Sequence, residues 1–336
     1  MDVFALGARP HGAVRVGIDL SILYRGPLSS CNYDCWYCPF GKHHENAKEL
    51  QNDREKLARF VEWVVHRPAD DQIAVFFTPW GEALTRRWYR EAMIDLSHAA
   101  QVTKVAVQTN LACQLEWLKD CHLDRVGLWC TYHPSQTSLH EFIQQCRQLD
   151  QLHVSYSVGV VGLKENFGDI EALRCQLAPD IYLWVNAYKD KADYYSDQDV
   201  TLLEQIDPLF PLNNTRHPSL GRACRTGESV ISVDGDGNVR RCHFIKTVLG
   251  NLYSDSLEQL LAPRLCTNQT CGCHIGYVHL EELQLDGVFG DGLLERVLGR
   301  IQHRHASKSA LAALPLAETS AVPQFRQEDF RGDRRR

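Results

Sequence analysis

Apolar stretches rich in β-branched and aromatic residues recur six times between residues 14 and 185, and helical apolar spacing follows most of them. Such stretches predict buried strands. Strands that alternate with helices predict a parallel α/β sheet curled into a barrel-like form, with chemistry at the carboxyl ends of its strands. The predicted strands are Val14–Tyr24, Ile73–Thr78, Lys104–Thr109, Asp124–Thr131, His153–Val161 and Ile181–Val185.

The intervening segments carry helix signals. Residues 53–66 place apolar side chains at i, i+3, i+4, i+7 and i+8, which indicates an amphipathic helix. Ser138 and Glu141 form a capping-box pattern before another apolar face. Further helices are predicted over about 85–99, 114–119 and 168–177. From about 187 to 223 the pattern loosens into a polar connector that contains Pro and Asn, which we interpret as a domain boundary.

The loop after the first strand contains Cys31, Cys35 and Cys38, in the spacing C-x3-C-x2-C. Three thiolates on one loop can bind a single soft metal centre, and an iron-sulfur cube with three protein ligands keeps one iron open to another ligand. The alternative is a structural zinc site with His43 as the fourth ligand.

A second cysteine group follows the connector. Residues 229–233 and 238–242 flank the turn Asp234-Gly-Asp-Gly237, which predicts a β-hairpin, and a short helix is predicted over about 254–261. Cysteines before and after a hairpin can approach one another, and a downstream C-x-C can complete a closed four-thiolate cluster or a zinc site. The cysteines of this group are Cys224, Cys242, Cys266, Cys271 and Cys273.

The chain has thirteen cysteines, and its N-terminus lacks the pattern of a secretion signal. This combination favours metal binding or catalysis in the cytoplasm over disulfides. A net charge of −6 argues against nucleic-acid binding, and no apolar stretch is long enough for a membrane span. The remaining cysteines are predicted to be small buried hydrophobes. They are Cys113, Cys121, Cys130, Cys146 and Cys175.

The first cysteine spacing, with Tyr37 directly before the third cysteine, resembles the motif of the radical S-adenosylmethionine (radical SAM) enzymes. That resemblance implies a partial (β/α)6 TIM-like barrel, and a [4Fe-4S] cluster whose open iron binds SAM. The second group resembles the twitch module, the one-cluster relative of the SPASM domain. It implies a small α+β cysteine-rich module with one auxiliary [4Fe-4S] cluster, and with Cys266 or one of its neighbours left over.

The resemblance also implies roles for residues at the barrel rim. Thr78-Pro-Trp-Gly-Glu82-Ala-Leu84 is similar to the family's Gly-Gly-Glu-Pro segment, with Trp80 and Ala83 as departures, and Glu82 is then expected to hold the SAM amino group. Other expected SAM-binding residues are Tyr37, Asn110, Thr131, Ser157 and Gly162. Catalytic candidates are Tyr132 and His133, and aromatic candidates for a pocket lining are Trp129, Tyr132, Trp184 and Tyr188.

The implied activity is reductive cleavage of SAM to a 5′-deoxyadenosyl radical, which abstracts hydrogen from a ribosomally made peptide. Alternatives are an enzyme that acts on a small metabolite, and a non-enzymatic zinc or Fe-S module. The implied partner is an electron donor such as flavodoxin or ferredoxin. The expected domains are a barrel (1–190), a connector (191–223), an auxiliary module (224–300) and a disordered tail (301–336).

Overall fold

The computed structural model describes residues 17–299, so the expected tail and the first residues of the first predicted strand lie outside the described part of the chain. The strands are β1 Asp19–Arg25, β2 Gln72–Phe77, β3 Val102–Thr109, β4 Val126–Tyr132, β5 Ser155–Val161, β6 Leu183–Asn186, β7 His217–Pro218, β8 Val230–Asp234, β9 Asn238–Arg240, β10 Val248–Asn251 and β11 Thr270–Cys271. The α-helices are α1 Ala47–Val65, α2 Arg87–His98, α3 Leu139–Leu152, α4 Phe167–Gln176, α5 Asp197–Ile206, α6 Phe210–Asn214, α7 Leu257–Leu260, α8 His274–Tyr277 and α9 Leu285–Phe289.

Nine strands form one sheet in the order β10-β9-β8-β1-β2-β3-β4-β5-β6. The pairs from β1 to β6 are all parallel, which confirms the predicted α/β fold class and its barrel-like sheet. The predicted hairpin is also confirmed as β8 and β9. Its first strand pairs in parallel with β1, Ser21 opposite Val230, so the hairpin continues the barrel sheet at its edge.

Helices α1 to α4 cover the outer face of the sheet. Their apolar stripes, such as Leu57, Phe60 and Val64 of α1, pack on alternate residues of the strands. Phe60, for example, stacks on Tyr24 of β1 with ring centroids 4.3 Å apart. This apolar layer holds the strands side by side and fixes where their carboxyl ends lie.

The inner face of the sheet carries a different set of side chains. Trp129 of β4 stacks on Trp184 of β6 at 4.5 Å and lies 5.9 Å from the ring of Phe76 of β2. The segment from α8 onward packs its apolar side chains against this face. Glu295 closes the amino-terminal end of the barrel, because its carboxylate accepts from Lys104 Nζ at 2.8 Å and from Ser155 Oγ at 3.0 Å. In the described part of the chain, Glu295 therefore covers the amino-terminal end of the barrel, opposite the end that carries the cysteine loop.

Several elements differ from the sequence-based expectation. Helix α1 begins six residues before the predicted residue 53, because Asn46 and Glu49 form a capping box. The helix predicted over 114–119 is a 3-10 helix, Glu116–Asp120. The stretch interpreted as a connector contains α5 and α6, and Ser196 and Asp199 cap α5 reciprocally. Cys175 is exposed, contrary to the prediction, because it lies on the solvent side of α4.

The other four cysteines predicted to be buried hydrophobes are buried. Within the described residues, no helix is long and apolar enough to cross a membrane.

Candidate active site

The loop with the first three cysteines joins β1 to α1 and is tied to the barrel by polar side chains. The Glu45 carboxylate accepts from the backbone N–H groups of Ser29 and Ser30. Arg86 donates to Ser30 Oγ at 2.7 Å, and Lys42 donates to the carbonyl of Cys35 at 2.8 Å. Anchoring of this kind fixes the loop backbone before any ligand binds.

Two glycines let other segments approach the loop closely. A Cβ on Gly81 would lie 1.9 Å from the Ser30 carbonyl oxygen, so only glycine fits between Trp80 and Glu82. Gly41 has φ +67°, and a Cβ there would lie 2.8 Å from the Cβ of Cys31. The Gly81 contact gives a steric reason for the one glycine that the Thr78–Leu84 segment shares with the family motif.

The three thiols of the loop lie in partly buried positions. The pKa of Cys31 is raised to about 11, mainly by burial and to a smaller extent by the neighbouring Glu82, Cys38 and Cys35. Burial likewise raises the pKa values of Cys35 and Cys38. Thiolates here would need a nearby cation, and a soft metal centre is the kind of cation that three thiols fit.

His133 and Tyr37 lie beside the second thiol. His133 Nδ1 is 2.8 Å from Tyr37 Oη and 3.4 Å from Cys35 Sγ. Burial lowers the pKa of His133 to about 4, so its ring is neutral at pH 7. The Tyr37 ring packs with Cys35 and Leu163. The structure thus brings together one SAM-binding candidate, one catalytic candidate and the cysteine loop.

Glu82 and Asn110 lie near Cys31, whereas His133 lies near Cys35. Glu82 accepts from Thr109 Oγ1 at 2.7 Å and from the Asn110 N–H at 2.6 Å, while Asn110 Nδ2 donates to Asn32 Oδ1 at 2.9 Å. Burial raises the pKa of Glu82, and these hydrogen bonds oppose the shift. The carboxylate is therefore held in a fixed position near Cys31.

The remaining candidates divide between the two faces of the sheet. Thr131 faces the interior of the barrel, where Gly159 leaves room beside it. The Tyr195 hydroxyl donates to the carbonyl of Gly162 at 2.6 Å and fills the space of a side chain there. Ser157 lies deeper, and its hydroxyl donates to the Glu295 carbonyl. Tyr132 packs against Phe142 on the outer face, so the structure does not bring it to the thiols.

The aromatic candidates for a pocket lining also have different positions. Trp129 and Trp184 are almost fully buried in the inner stack. Tyr188 lies at the rim, 6.3 Å from the exposed ring of Trp36. Of this set, only Tyr188 contacts the cysteine loop.

The second cysteine group gathers thiols from four separate segments. Burial raises the pKa of Cys271, and four neighbouring thiols contribute to the same shift. They are Cys273, Cys242, Cys224 and Cys266. Cys242 is coupled to Cys224 and Cys266, and its pKa is raised to about 11 mainly by burial. Cys273 differs, because its charged neighbours are also Arg25 and Lys189. At neither cysteine group, nor elsewhere in residues 17–299, do three or more Cys, His, Asp or Glu side chains stand in an arrangement that could hold a metal ion as it is.

Sequence reasoning missed Arg25 and Lys189, which project into the interior between the two cysteine groups. Arg25 ends β1, and its guanidinium lies 4.0 Å from the centre of the Trp80 ring. Lys189 Nζ donates to the Gly272 carbonyl at 2.7 Å. Burial lowers the pKa of Arg25 to about 10 and that of Lys189 to about 8. The sequence signal that could have identified Arg25 and Lys189 is their position at the carboxyl ends of strands. Strand alternation alone does not distinguish them from other residues that face the interior.

His243 is a second residue that the sequence did not single out. It is partly buried, and its ring nitrogens lie 2.9 Å from Thr78 Oγ1 and 2.6 Å from Ser232 Oγ. These contacts join the hairpin to β2 across the top of β1, so the second cysteine group is held against the barrel rim.

No family model and no curated protein matches the sequence. Solved structures with a similar fold include anSMEcpe with bound AdoMet and a peptide (15% identity, 78% of this chain and 82% of that chain, TM-score 0.49). They also include SuiB of Streptococcus suis bound to S-adenosylmethionine (13%, 72% and 65%, TM-score 0.47) and BtrN with AdoMet and 2-DOIA (15%, 72% and 81%, TM-score 0.32). The chain is thus similar in fold to these proteins with bound S-adenosylmethionine. Likeness at this distance concerns the fold alone, so what the chain does must be inferred from its own residues.

Proposed function

We propose that the chain is a radical SAM enzyme with one auxiliary cluster, and that it modifies a peptide. The single observation that carries the proposal is the anchored loop at the open end of the barrel, with three thiols beside Glu82, Asn110 and His133. Three soft donors on a preorganised loop at the mouth of a barrel suit a cluster with one open iron. A structural zinc site would need no open position.

A [4Fe-4S] cluster held by Cys31, Cys35 and Cys38 would supply the one-electron reductive cleavage of bound SAM, and with it hydrogen abstraction from the substrate. The protein residues bind and orient. Glu82 offers a fixed carboxylate for the SAM ammonium. Tyr37 offers an apolar face, and neutral His133 holds the Tyr37 hydroxyl in place. The buried stack of Trp129 and Trp184 closes the barrel below this level.

For the auxiliary cluster we assign Cys224, Cys242, Cys266 and Cys271 as ligands, which leaves Cys273 outside the set. The choice is supported by the proximity of Cys242 and Cys271 to Cys224 and Cys266, and by the position of Cys273 beside both Arg25 and Lys189. A closed cluster there would exchange electrons with the substrate or with a donor such as flavodoxin or ferredoxin. All thirteen cysteines are free, which suits a reducing compartment and extends the proposal to the cytoplasm.

A peptide substrate is favoured by the exposed aromatic side chains around the loop. Trp36 is 64% exposed, Phe40 39% and Trp80 36%. Exposed aromatic residues at one rim are typical of surfaces that bind other macromolecules. A small metabolite remains the alternative, and it predicts that peptides have no effect on turnover.

The test is anaerobic reconstitution with iron and sulfide, followed by dithionite, SAM and assay of 5′-deoxyadenosine. We expect production by the wild type, none after Cys31, Cys35 and Cys38 are all changed to Ala, and iron retained at the second site of that variant. The matched control changes Cys113, Cys121 and Cys146 to Ala, and it should retain cleavage. Stoichiometric zinc with no SAM binding would refute the proposal and support a non-enzymatic module.

A further inference from the structure

The interior of the barrel between the two cysteine groups is lined by polar and cationic side chains. By strand alternation, Gln108, Thr131 and Asn186 face inward above the aromatic stack, and each is partly exposed. Arg25 and Lys189 lie at the same level and are also partly exposed. Partial exposure this deep in the protein means that the interior is open space that a ligand can reach. This space is called the lumen below.

Arg25 has hydrogen-bonding capacity that the protein does not use. Its Nε donates to the Thr78 carbonyl at 2.8 Å, and one face of the guanidinium lies on Trp80. Within residues 17–299, no acceptor is hydrogen-bonded to its two terminal nitrogens, and the titratable groups near it, the Cys273 thiol and the rings of His243 and His274, include no carboxylate. A guanidinium has five N–H donors in a planar fork, and this fork matches a carboxylate or a phosphate.

Lys189, on the other side of the lumen, is likewise a cation without an acidic partner. Nζ donates to the carbonyls of Gly272 and Thr215 and lies 5.7 Å from the centre of the Tyr277 ring. The charged neighbours of Lys189 in the described chain are Cys273, Cys271 and the cation Arg216, with no carboxylate among them. Two half-buried cations without an acid therefore face one space. Burial of unpaired charge is costly, so such pairs usually have an anionic partner.

We propose that the lumen binds an anionic group of the substrate, a carboxylate or a phosphate, between the guanidinium of Arg25 and the ammonium of Lys189. The site lies next to the expected chemistry. Trp80, under Arg25, packs on Phe40 at 4.8 Å, and the Phe40 carbonyl is 3.4 Å from Cys38 Sγ. Tyr188, which precedes Lys189, packs against Trp36 of the cysteine loop. An anion held here fixes one end of the substrate while another part lies beside the loop.

This inference rests on the proposed function, because only that function makes the lumen a substrate site. Two other occupants have the same chemistry: the carboxylate of SAM, and the thiolates of the second cysteine group acting as internal counter-ions. Variants of Arg25 and Lys189 distinguish these two possibilities from a substrate anion.

The experiment measures binding of inorganic phosphate to the reconstituted full chain by isothermal titration at constant ionic strength. We expect Arg25→Met and Lys189→Met each to weaken phosphate binding about tenfold or more, and Arg25→Lys to weaken it less. The matched control is Arg59→Met, since Arg59 also lies on an aromatic ring, 3.7 Å from the centre of Tyr253, but on the outer face. This control should bind phosphate as the wild type does.

The outcomes distinguish the occupants. SAM affinity, measured by equilibrium dialysis, should be unchanged in Arg25→Met and Lys189→Met; a parallel loss of SAM binding would identify SAM's carboxylate as the ligand and overturn the proposal. Loss of iron from the second site in these variants, with no phosphate binding by the wild type, would identify the thiolates. If the wild type binds phosphate at the two cations yet never cleaves SAM, the proposed function fails while the anion site stands.

Discussion

The two cysteine groups reach their positions in different ways. The first lies within eight residues of one loop, which is fixed by Glu45 of the same loop and by Arg86, the residue before α2. The second draws Cys224, Cys242, Cys266 and Cys271 from four segments that span the carboxy-terminal third of the described chain. The first group therefore depends on local structure, and the second on long-range contacts. This difference predicts at which group a bound metal would contribute more to the stability of the protein.

Removal of the metal should affect stability very unequally at the two groups. A closed site that joins distant segments converts its binding free energy into folding free energy, on the order of 10 kcal/mol in small structural zinc sites. We expect Cys224, Cys242, Cys266 and Cys271 changed together to Ser to lower the Tm of the reconstituted protein by more than about 10 °C. The Cys31, Cys35 and Cys38 triple Ala variant should lower it by only a few degrees.

Anaerobic thermal unfolding followed by circular dichroism measures both variants against the wild type. The control repeats each measurement after chelation, when the difference between the variants should disappear. Equal Tm values in the reconstituted state would mean that long-range contacts other than the thiols hold the second group.

The long-range ion pair at the closed end of the barrel should have the next largest effect. Glu295 is fully buried and pairs with Lys104 at 2.8 Å. Removing one partner leaves a buried unpaired charge, so Glu295→Ala should lower the free energy of unfolding by about 3–5 kcal/mol. The double variant Lys104→Met/Glu295→Leu should lose much less, because it leaves no charge behind.

Urea unfolding measures these values. The matched control is Arg87→Ala, which breaks the exposed pair Arg87–Glu91 and should cost less than about 0.5 kcal/mol. A small loss of unfolding free energy in the Glu295 variant would show that the contacts of Glu295 contribute little to the stability of the barrel.

Asp207 provides a pH-dependent test of the carboxy-terminal region. Its carboxylate accepts from Tyr182 Oη at 2.6 Å and from the Val185 N–H at 2.9 Å, and burial raises its pKa to about 6. Since the folded pKa lies above the unfolded value, the folded state disfavours the ionised form. Stability is then greatest below about pH 4, falls as the pH rises to about 6, and stays constant above it.

The wild type should lose about 2–3 kcal/mol over that interval that Asp207→Asn does not lose. Chemical unfolding at pH 4, 5, 6 and 7 gives the free energy of unfolding of both proteins. In the difference between the two proteins at each pH, the contributions of the other titrating groups cancel. Parallel curves would contradict the shifted pKa.

Periodicity allowed most of the barrel to be predicted from the sequence, because apolar spacing and strand alternation are local properties. The hairpin was predicted for the same reason, from the turn Asp234-Gly-Asp-Gly237. The continuation of the barrel sheet by β8 could not be predicted, because the pairing of Ser21 with Val230 joins residues far apart in the chain. The role of Arg25 and Lys189 could not be predicted either, because it depends on which side chains from distant parts of the chain surround them.

Helix α5 was missed for a local reason, and that reason gives the smallest prediction. Ser138 and Glu141 form the usual capping box, whereas α5 uses Ser196 and Asp199, whose shorter acid is a weaker sequence signal. In the structure both serine hydroxyls accept from the N–H three residues on, at 3.2 and 3.3 Å. Ser138→Ala and Ser196→Ala should therefore each cost about 1 kcal/mol of unfolding free energy.

Urea unfolding measures both variants, and Ser138→Thr and Ser196→Thr, which keep a capping hydroxyl, are the controls with little expected loss. Equal costs for the two alanine variants would mean that local devices work alike in both regions, so the contrast between the cysteine groups lies in long-range contacts alone. A loss at Ser196 several times larger would instead show that the stability of α5 also depends on long-range contacts, such as those of Asp207 at its carboxyl end.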